Sequence, residues 1–212
     1  MNRIFDFIIH LFYPSRCAFC DKITDKEKVC CDECNSKING VKPITTVLDN
    51  TFCVSAFPYC SVYRDAILNF KFKGRIQNAD TLSLYMLKAT REYYNDDKFD
   101  YITSVPLSKN QRNKRGFNQS EILARKIAEY LNVPYKECLE KIKDNEPQHS
   151  LNSDLRKLNV KGVYKSANEQ ITNLKILLVD DIVTTGCTLE ECSRVLKKSK
   201  NNVLCCAFCK TE

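Results

Sequence analysis

The sequence of 212 residues is long enough for one domain with a small additional unit, and 43% of its residues are hydrophobic, which suffices for a packed core. It carries 33 basic and 26 acidic side chains and a net charge of +7, so polyanionic partners are favoured over cationic ones. The thirteen cysteines form an odd number, and no secretory signature is visible. The composition therefore argues against a disulfide framework and for a cytoplasmic protein.

The first stretch, Ile4–Tyr13, is apolar but is interrupted by Asp6 and His10. It is too short to cross a bilayer, and no small-residue cleavage site follows it. We expect a short amphipathic helix that packs on the protein and no transmembrane segment. A membrane-surface or partner-binding role is the alternative.

Residues 17–34 contain five cysteines, among them two Cys-x2-Cys pairs that ten residues separate. Thiolates with this spacing typically bind one tetrahedral zinc ion, which stabilises a segment too short to fold alone. Because four thiolates leave no open coordination position, we expect a structural zinc; reduced cysteines without metal are the alternative. Either Cys30 or Cys31 could be the third ligand, and the two-residue spacing favours Cys31. The predicted ligands are Cys17, Cys20, Cys31 and Cys34.

The next segments predict a linker, a strand and two helices. Residues 35–50 are polar and predict the linker, and a strand is expected at Thr51–Phe57. The spacing of apolar residues predicts helices over Tyr63–Phe72 and Leu82–Tyr94. A basic turn after the first of these helices contains Lys71, Lys73 and Arg75.

A second strand, Phe99–Pro106, is followed by a cationic loop over residues 109–119 and by a helix that begins near Ser120. The loop carries four positive charges between Lys109 and Arg115 and no negative charge. Cations beside a strand end suit a pyrophosphate, because arginine presents two parallel donors to phosphate oxygens. A solvated charged loop is the alternative.

Residues 141–161 are mostly polar and contain His149. A polar segment of this length in a compact domain is either mobile or functional, and a lid that closes over substrate is the more specific interpretation. His149 has no visible partner, so it receives no catalytic role. A last strand is predicted at residues 202–208, whose cysteines are expected to be small core residues.

The most informative stretch runs from Ile176 to Thr188. Four apolar residues predict a buried parallel strand, two carboxylates follow at its carboxyl end, and a turn of threonines and glycine leads into a helix over Leu189–Lys198. Backbone N–H groups at a helix start bind phosphate, and paired carboxylates accept hydrogen bonds from a sugar diol or bind a metal. An ordinary strand and helix with a capping threonine would not explain the carboxylate pair. The predicted sugar-phosphate site comprises Asp180, Asp181, Thr184, Thr185, Gly186 and Thr188.

This stretch resembles the binding signature of type I phosphoribosyltransferases, which bind phosphoribosyl pyrophosphate (PRPP). With the four-cysteine segment and several further motifs, the chain resembles the ComF family, bacterial proteins linked to competence and DNA uptake. The further motifs are Lys71-Phe72-Lys73-Gly74, Val105-Pro106-Leu107-Ser108, Arg115-Gly116-Phe117-Asn118-Gln119, Gln148, Arg156 and residues 159–162. Lys141 departs from the family pattern, which usually has an arginine before the Gln148 region.

The resemblance implies an α/β fold of the type I phosphoribosyltransferase kind over residues 46–212, a mainly parallel sheet flanked by helices. It implies a small N-terminal unit, residues 1–45, with a helix and the four-cysteine zinc site. PRPP would bind with Mg²⁺, and its pyrophosphate would contact Ser108, Arg112, Lys114 and Arg115. Thr184 stands where enzymes specific for 6-oxopurines usually carry a general-base aspartate, so catalysis and the acceptor stay open.

A non-catalytic binding protein is the competing class of function. On this hypothesis the protein senses PRPP or holds single-stranded DNA, with proteins of the competence machinery as further partners. Cations with interleaved aromatic residues are typical of single-strand binders. The candidate nucleic-acid contacts are Lys71, Lys73, Arg75 and Phe117, although Phe117 is equally well explained as a core residue.

Overall fold

The computed structural model describes residues 14–25, 30–38, 42–49, 51–94, 98–143, 159–167 and 171–211. The predicted helix at Ile4–Tyr13 and most of the predicted lid, with Gln148, His149 and Arg156, lie outside these residues. Within the described ranges, no helix combines the length and the apolar character that a membrane span requires.

The centre of the protein is a five-stranded, mainly parallel sheet. The strands along the chain are β1 (Ile44–Leu48), β2 (Thr51–Pro58), β3 (Tyr101–Ser104), β4 (Leu139–Lys141), β5 (Tyr164–Ser166), β6 (Lys175–Val183) and β7 (Asn202–Lys210). The sheet order is β1-β2-β7-β6-β3, in which β1 is antiparallel to β2 and the other neighbours are parallel. β4 and β5 form a separate antiparallel pair.

Helices cover both faces of this sheet. They are α1 (Asp32–Ile38), α2 (Ser61–Phe72), α3 (Ala79–Tyr94), α4 (Lys109–Arg115), α5 (Gln119–Leu131) and α6 (Cys187–Lys197), with a 3₁₀ turn at Ile76–Asn78. The apolar sides of α2, α3 and α5 enclose one core with the sheet, and α6 and the β4-β5 pair enclose the other. The predicted mainly parallel sheet with flanking helices is confirmed.

Strand β6 is buried on both faces, which explains its uninterrupted apolar sequence. Leu177 and Val179 belong to the core under α2, α3 and α5, whereas Ile176 and Leu178 belong to the core under α6. All four side chains are fully buried. β6 is therefore held from both sides up to the residues that form the predicted site.

Two segments differ from the sequence prediction. The polar residues 35–50 contain the end of α1 and the edge strand β1, which is polar because one of its faces is exposed. The predicted cationic loop is helix α4. It forms because Ser108 and Gln111 make a reciprocal capping box at its start, and Gly116, with φ of +79°, ends it in the left-handed conformation.

Candidate functional site

Asp180 and Asp181 lie in the part of β6 that pairs with β7 but no longer with β3. β3 pairs with β6 only as far as Ser104 and Val179, whereas β7 accompanies β6 to Val183. The strand thus continues through the carboxylate pair, beyond the end predicted from the apolar run. Ligands of open α/β sheets bind at this carboxyl edge of the parallel strands.

The Asp180 carboxylate accepts hydrogen bonds from neutral groups. Its Oδ1 accepts from the Ser120 hydroxyl at 2.9 Å and from the Asp181 backbone N–H at 2.8 Å. Burial, reinforced by the neighbouring charge of Asp181, raises the pKa of Asp180 to about 7. Asp180 is therefore a weaker acid than an ordinary aspartate.

The Asp181 carboxylate is paired with a cation. Lys71 Nζ, from the last turn of α2, donates to Asp181 Oδ1 at 2.8 Å. The two side chains are only 12% and 10% exposed, respectively. The structure thus brings Lys71, which sequence analysis grouped with candidate nucleic-acid contacts, into the predicted sugar-phosphate site.

The turn at residues 184–186 connects β6 to α6 and has a conformation that requires glycine. Gly186 has φ of +85°, and a Cβ atom there would lie 2.4 Å from Leu48 Cδ2. Lys210 Nζ donates to the Thr184 carbonyl at 2.9 Å, which fixes the turn to the end of β7. The first N–H groups of α6 follow directly and have no intrahelical acceptors.

The threonines of this turn have different contacts. The Thr185 hydroxyl donates to Cys187 Sγ at 3.1 Å. The Thr188 side chain lies near Tyr164 of β5, and it opposes the rise that burial causes in the pKa of this phenol. The predicted phosphate-binding residues therefore lie in the turn and at the start of α6, and Thr188 lies near the β4-β5 pair.

The predicted pyrophosphate contacts lie on α4 or at its start. The Ser108 hydroxyl accepts the Gln111 backbone N–H at 3.2 Å as the helix cap. Arg112 forms an ion pair with Glu121 at 3.3 Å and remains 55% exposed. Lys114 is exposed, and Arg115 Nη1 donates to the side-chain Oε1 of Gln119 at 3.2 Å.

The four candidate nucleic-acid contacts do not share one environment. Lys71 is buried against Asp181, and Arg75 pairs with Asp21 of the cysteine-rich segment at 3.2 Å. The Phe117 ring packs 6.1 Å from that of Phe70, and both residues belong to one hydrophobic cluster. Lys73 is exposed.

The four predicted zinc ligands converge. The sulfur atoms of Cys17, Cys20, Cys31 and Cys34 lie within 4.8 Å of one another, and Cys30 is not part of the group. Zinc-sulfur bonds of about 2.3 Å place tetrahedral thiolates roughly 3.8 Å apart, so the cluster suits zinc. Four protein ligands close the coordination sphere, which fits a structural ion.

The cysteine-rich segment is packed firmly on the core of the larger unit. Phe19 is fully buried, and its ring centre lies 6.1 Å from that of Phe57 and 5.6 Å from that of Tyr85. Asn78 Nδ2 donates to the Ala18 carbonyl at 3.3 Å. Zinc binding is therefore coupled to the packing of β2 and α3.

Sequence analysis missed three side chains that contact the site. These are Lys71 as the partner of Asp181, Ser120 as a donor to Asp180, and Lys210 beneath the turn. No spacing pattern could have found them, because each contact joins distant parts of the chain.

Comparisons with known proteins agree with this architecture. The phosphoribosyl transferase domain matches residues 118–211, and the double zinc ribbon domain matches residues 8–46. The predicted boundary after residue 45 stays a prediction.

Several curated relatives are similar over much of the chain. The "DNA utilization protein YhgH" of Escherichia coli (strain K12) is 27% identical over 197 residues, which are 86% of this chain and 84% of the relative. The "Competence protein ComFC" of Bacillus subtilis (strain 168) is 26% identical over 87% of this chain and 72% of its own. The "Competence protein F" of Haemophilus influenzae is 28% identical over 62% and 60%, respectively.

Among solved structures, an adenine phosphoribosyltransferase is similar over 70% of this chain and 76% of its own, with 15% identity and a TM-score of 0.44. This similarity is too low to indicate a shared activity. The domain matches, the named relatives and the four-cysteine cluster together assign the fold and the family. The chain belongs to the ComF family and combines a type I phosphoribosyltransferase fold with an N-terminal double zinc ribbon.

Proposed function

We propose that this protein binds PRPP together with Mg²⁺ and acts in competence or DNA uptake, with transfer of the phosphoribosyl group and release of pyrophosphate as its reaction. The observation that supports this most is the continuity of β6 with α6. One strand passes through both carboxylates and leads, over a glycine turn, to a helix start at the carboxyl edge of the sheet.

Each part of PRPP has a chemically suited partner in this proposal. The carboxylates of Asp180 and Asp181 accept hydrogen bonds from the ribose hydroxyls. The start of α6 binds the 5′-phosphate through its backbone N–H groups and side-chain hydroxyls. The residues proposed for the 5′-phosphate are Thr184, Thr185, Gly186 and Thr188. Those proposed for the pyrophosphate are Ser108, Arg112, Lys114 and Arg115.

Magnesium ions prefer hard oxygen ligands and substrate phosphates, so we assign the ion to the pyrophosphate. When bound, it would neutralise charge on the leaving group. Thr184 cannot accept a proton at neutral pH, so the proposed transfer uses an acceptor that needs no base at this position. PRPP binding is the first step to test.

The test is a calorimetric titration of the zinc-loaded protein with PRPP and Mg²⁺. We expect the Asp180→Asn/Asp181→Asn double variant to bind PRPP about 100-fold more weakly or worse, because each hydrogen bond to a charged acceptor contributes about 1.5–3 kcal/mol. Asp80→Asn is the matched control, since this carboxylate is half exposed at the start of α3. Unchanged PRPP affinity in the double variant would contradict the proposed site.

A second candidate function is single-stranded DNA binding without catalysis, as an accessory protein beside the competence machinery. The named relatives carry competence or DNA utilization in their names, and Lys73, Arg112 and Lys114 are exposed cations. Each phosphate contact contributes about one unit to the slope of the logarithm of DNA affinity against the logarithm of salt concentration. Replacing Lys73, Arg112 and Lys114 with glutamine should therefore make that slope less steep. A salt-independent affinity would argue against DNA contact.

We also propose a cytoplasmic location. All thirteen cysteines are free thiols in the structure, and four of them form the zinc-binding cluster. A reducing compartment keeps such thiols available for metal. Thiol labelling of the protein in intact cells, followed by fractionation, would test this location.

A further inference from the structure

The ion pair between Lys71 and Asp181 lies at the ligand-binding edge of the sheet rather than in its interior. Asp181 is at the end of β6 where β3 no longer pairs, and Lys71 is in the last turn of α2. The two residues are 110 positions apart in the sequence and 2.8 Å apart at the atoms that bond. A buried ion pair is often no more stabilising than apolar residues of the same size, so stability alone does not account for it.

The position of Lys71 is set by its neighbours on α2. Ile67 and Phe70 of the same helix are fully buried in the core against the sheet, which fixes the backbone from which the lysine extends. The end of a helix also favours a cation, because the carbonyl groups there carry partial negative charge. The ammonium group is therefore directed at Asp181 by a rigid support.

Within the part of the chain that the structure describes, the adjacent carboxylate of Asp180 forms no ion pair. Asp180 Oδ1 accepts from a hydroxyl and a backbone N–H, whereas Asp181 Oδ1 accepts from an ammonium ion. A divalent cation that coordinated Asp181 would have to displace Lys71 or lie next to its charge. Like charges at such short distances repel strongly in a partly buried site, so the ammonium group disfavours a divalent ion beside Asp181.

We infer that Lys71 is a positioning residue whose ammonium group takes the place that a metal ion would occupy beside the acidic pair, Asp180 and Asp181. Asp181 then contacts the ribose hydroxyls directly, and the divalent metal binds only at the pyrophosphate. The part that concerns the ribose rests on the proposed PRPP binding. The exclusion of metal from the acidic pair is independent of PRPP binding, and it can be measured without PRPP.

The first experiment uses Mn²⁺ alone as the probe on the zinc-loaded full chain, with free ion measured by electron paramagnetic resonance. We expect Lys71→Met to create a Mn²⁺ site at least tenfold tighter than any in the unaltered protein. Adding Asp181→Asn to this variant should remove the site. Lys73→Met is the matched control, because it removes an exposed lysine two residues further along the chain.

Two results would overturn the inference. One is a tight Mn²⁺ site in the unaltered protein that Asp181→Asn abolishes, and the other is an unchanged Mn²⁺ affinity in Lys71→Met. Circular dichroism and thermal unfolding establish that each variant is folded. If Lys71→Met fails to fold, Lys71→Gln replaces it in the Mn²⁺ experiment, because glutamine removes the charge and keeps a hydrogen-bond donor toward Asp181.

The second experiment measures PRPP affinity at fixed, saturating Mg²⁺. We expect Lys71→Met to weaken PRPP binding about tenfold and Lys71→Arg to retain most of it, because arginine keeps the charge at Asp181. Equal PRPP affinity in all three proteins would overturn the positioning role. Absence of PRPP binding in the unaltered protein would instead reject the proposed function, and the Mn²⁺ result would still decide whether Lys71 excludes metal.

Discussion

The two basic segments, Lys71–Arg75 and Lys109–Arg115, are alike in charge but differ in how the fold uses them. In the first segment, Lys71 is buried against Asp181 and Arg75 pairs with Asp21. The second segment is helix α4, whose Arg112 is 55% exposed in its contact with Glu121.

The difference teaches that a run of cations in a sequence predicts a positive field but not which cations are available to a ligand. The first segment connects the cysteine-rich segment, through Asp21, to the predicted site, through Asp181. α4 contributes exposed charge beside that site and few contacts that hold the fold together. We therefore expect loss of Lys71 to lower stability as well as ligand affinity, and loss of the exposed cations of α4 to change ligand affinity alone.

The largest expected effect comes from zinc removal, which tests whether the first segment depends on the cysteine-rich segment. Zinc binding contributes about 10–16 kcal/mol in small zinc domains, and here the bound segment also buries Phe19 and holds Arg75. We expect the melting temperature to fall by more than about 10 °C after chelation or in a Cys17→Ser/Cys20→Ser variant. Scanning calorimetry measures the melting temperature, and mass spectrometry measures the zinc content of the same samples.

Cys60→Ser is the control for this experiment, because Cys60 is exposed and outside the four-sulfur group. If zinc-free protein melted at the same temperature as the loaded form, the cysteine-rich segment would not support the first basic segment.

The next effect is the loss of stability when Lys71 is removed. Lys71→Met leaves the Asp181 carboxylate buried without its partner, which typically costs about 3–5 kcal/mol in the free energy of unfolding. Lys73→Met should change it by no more than about 0.5 kcal/mol, since Lys73 is exposed. Urea denaturation measures the free energy of unfolding of both variants. Equal losses in the two variants would contradict the distinction between a buried and an exposed lysine.

A smaller effect is expected from α4, and it should appear in affinity rather than in stability. Arg112→Gln/Lys114→Gln should weaken PRPP binding about tenfold and flatten its salt dependence, because two of the cations proposed to contact the pyrophosphate are lost. The free energy of unfolding should stay within about 1 kcal/mol, since contacts between exposed charges contribute little. Arg91→Gln/Lys98→Gln removes the same exposed charge at the end of α3 and before β3, and should leave PRPP affinity unchanged.

The fold and the zinc site could be predicted because their signals are local in the sequence. The apolar run of β6, the glycine turn after it and the paired Cys-x2-Cys motifs each lie within a few residues. The helical state of α4 also had a local signal that was overlooked, since Ser108 and Gln111 have the spacing of a capping box and Gly116 follows.

The contacts that distinguish the two carboxylates could not be predicted from local patterns. Lys71 reaches Asp181 across 110 residues, and Ser120 reaches Asp180 across 60. These pairs form because α2 and α5 pack on the same core as β6, which only the assembled sheet determines. Their chemistry therefore had to come from the structure.

The smallest expected effect is a change in the titration of Asp180, and it tests whether the charge of Lys71 extends beyond Asp181. The pKa of Asp180 is raised to about 7, mainly by burial and next by the Asp181 charge, while the Lys71 charge lowers it. Carbon-detected nuclear magnetic resonance should show this carboxyl protonated below its midpoint near pH 7. Lys71→Met should move the midpoint upward and Asp181→Asn downward, because each removes one of these opposing charges. A midpoint near 4 in the unaltered protein would mean that the Asp180 carboxyl is solvated, and the charge of Lys71 would then have no measurable influence beyond Asp181.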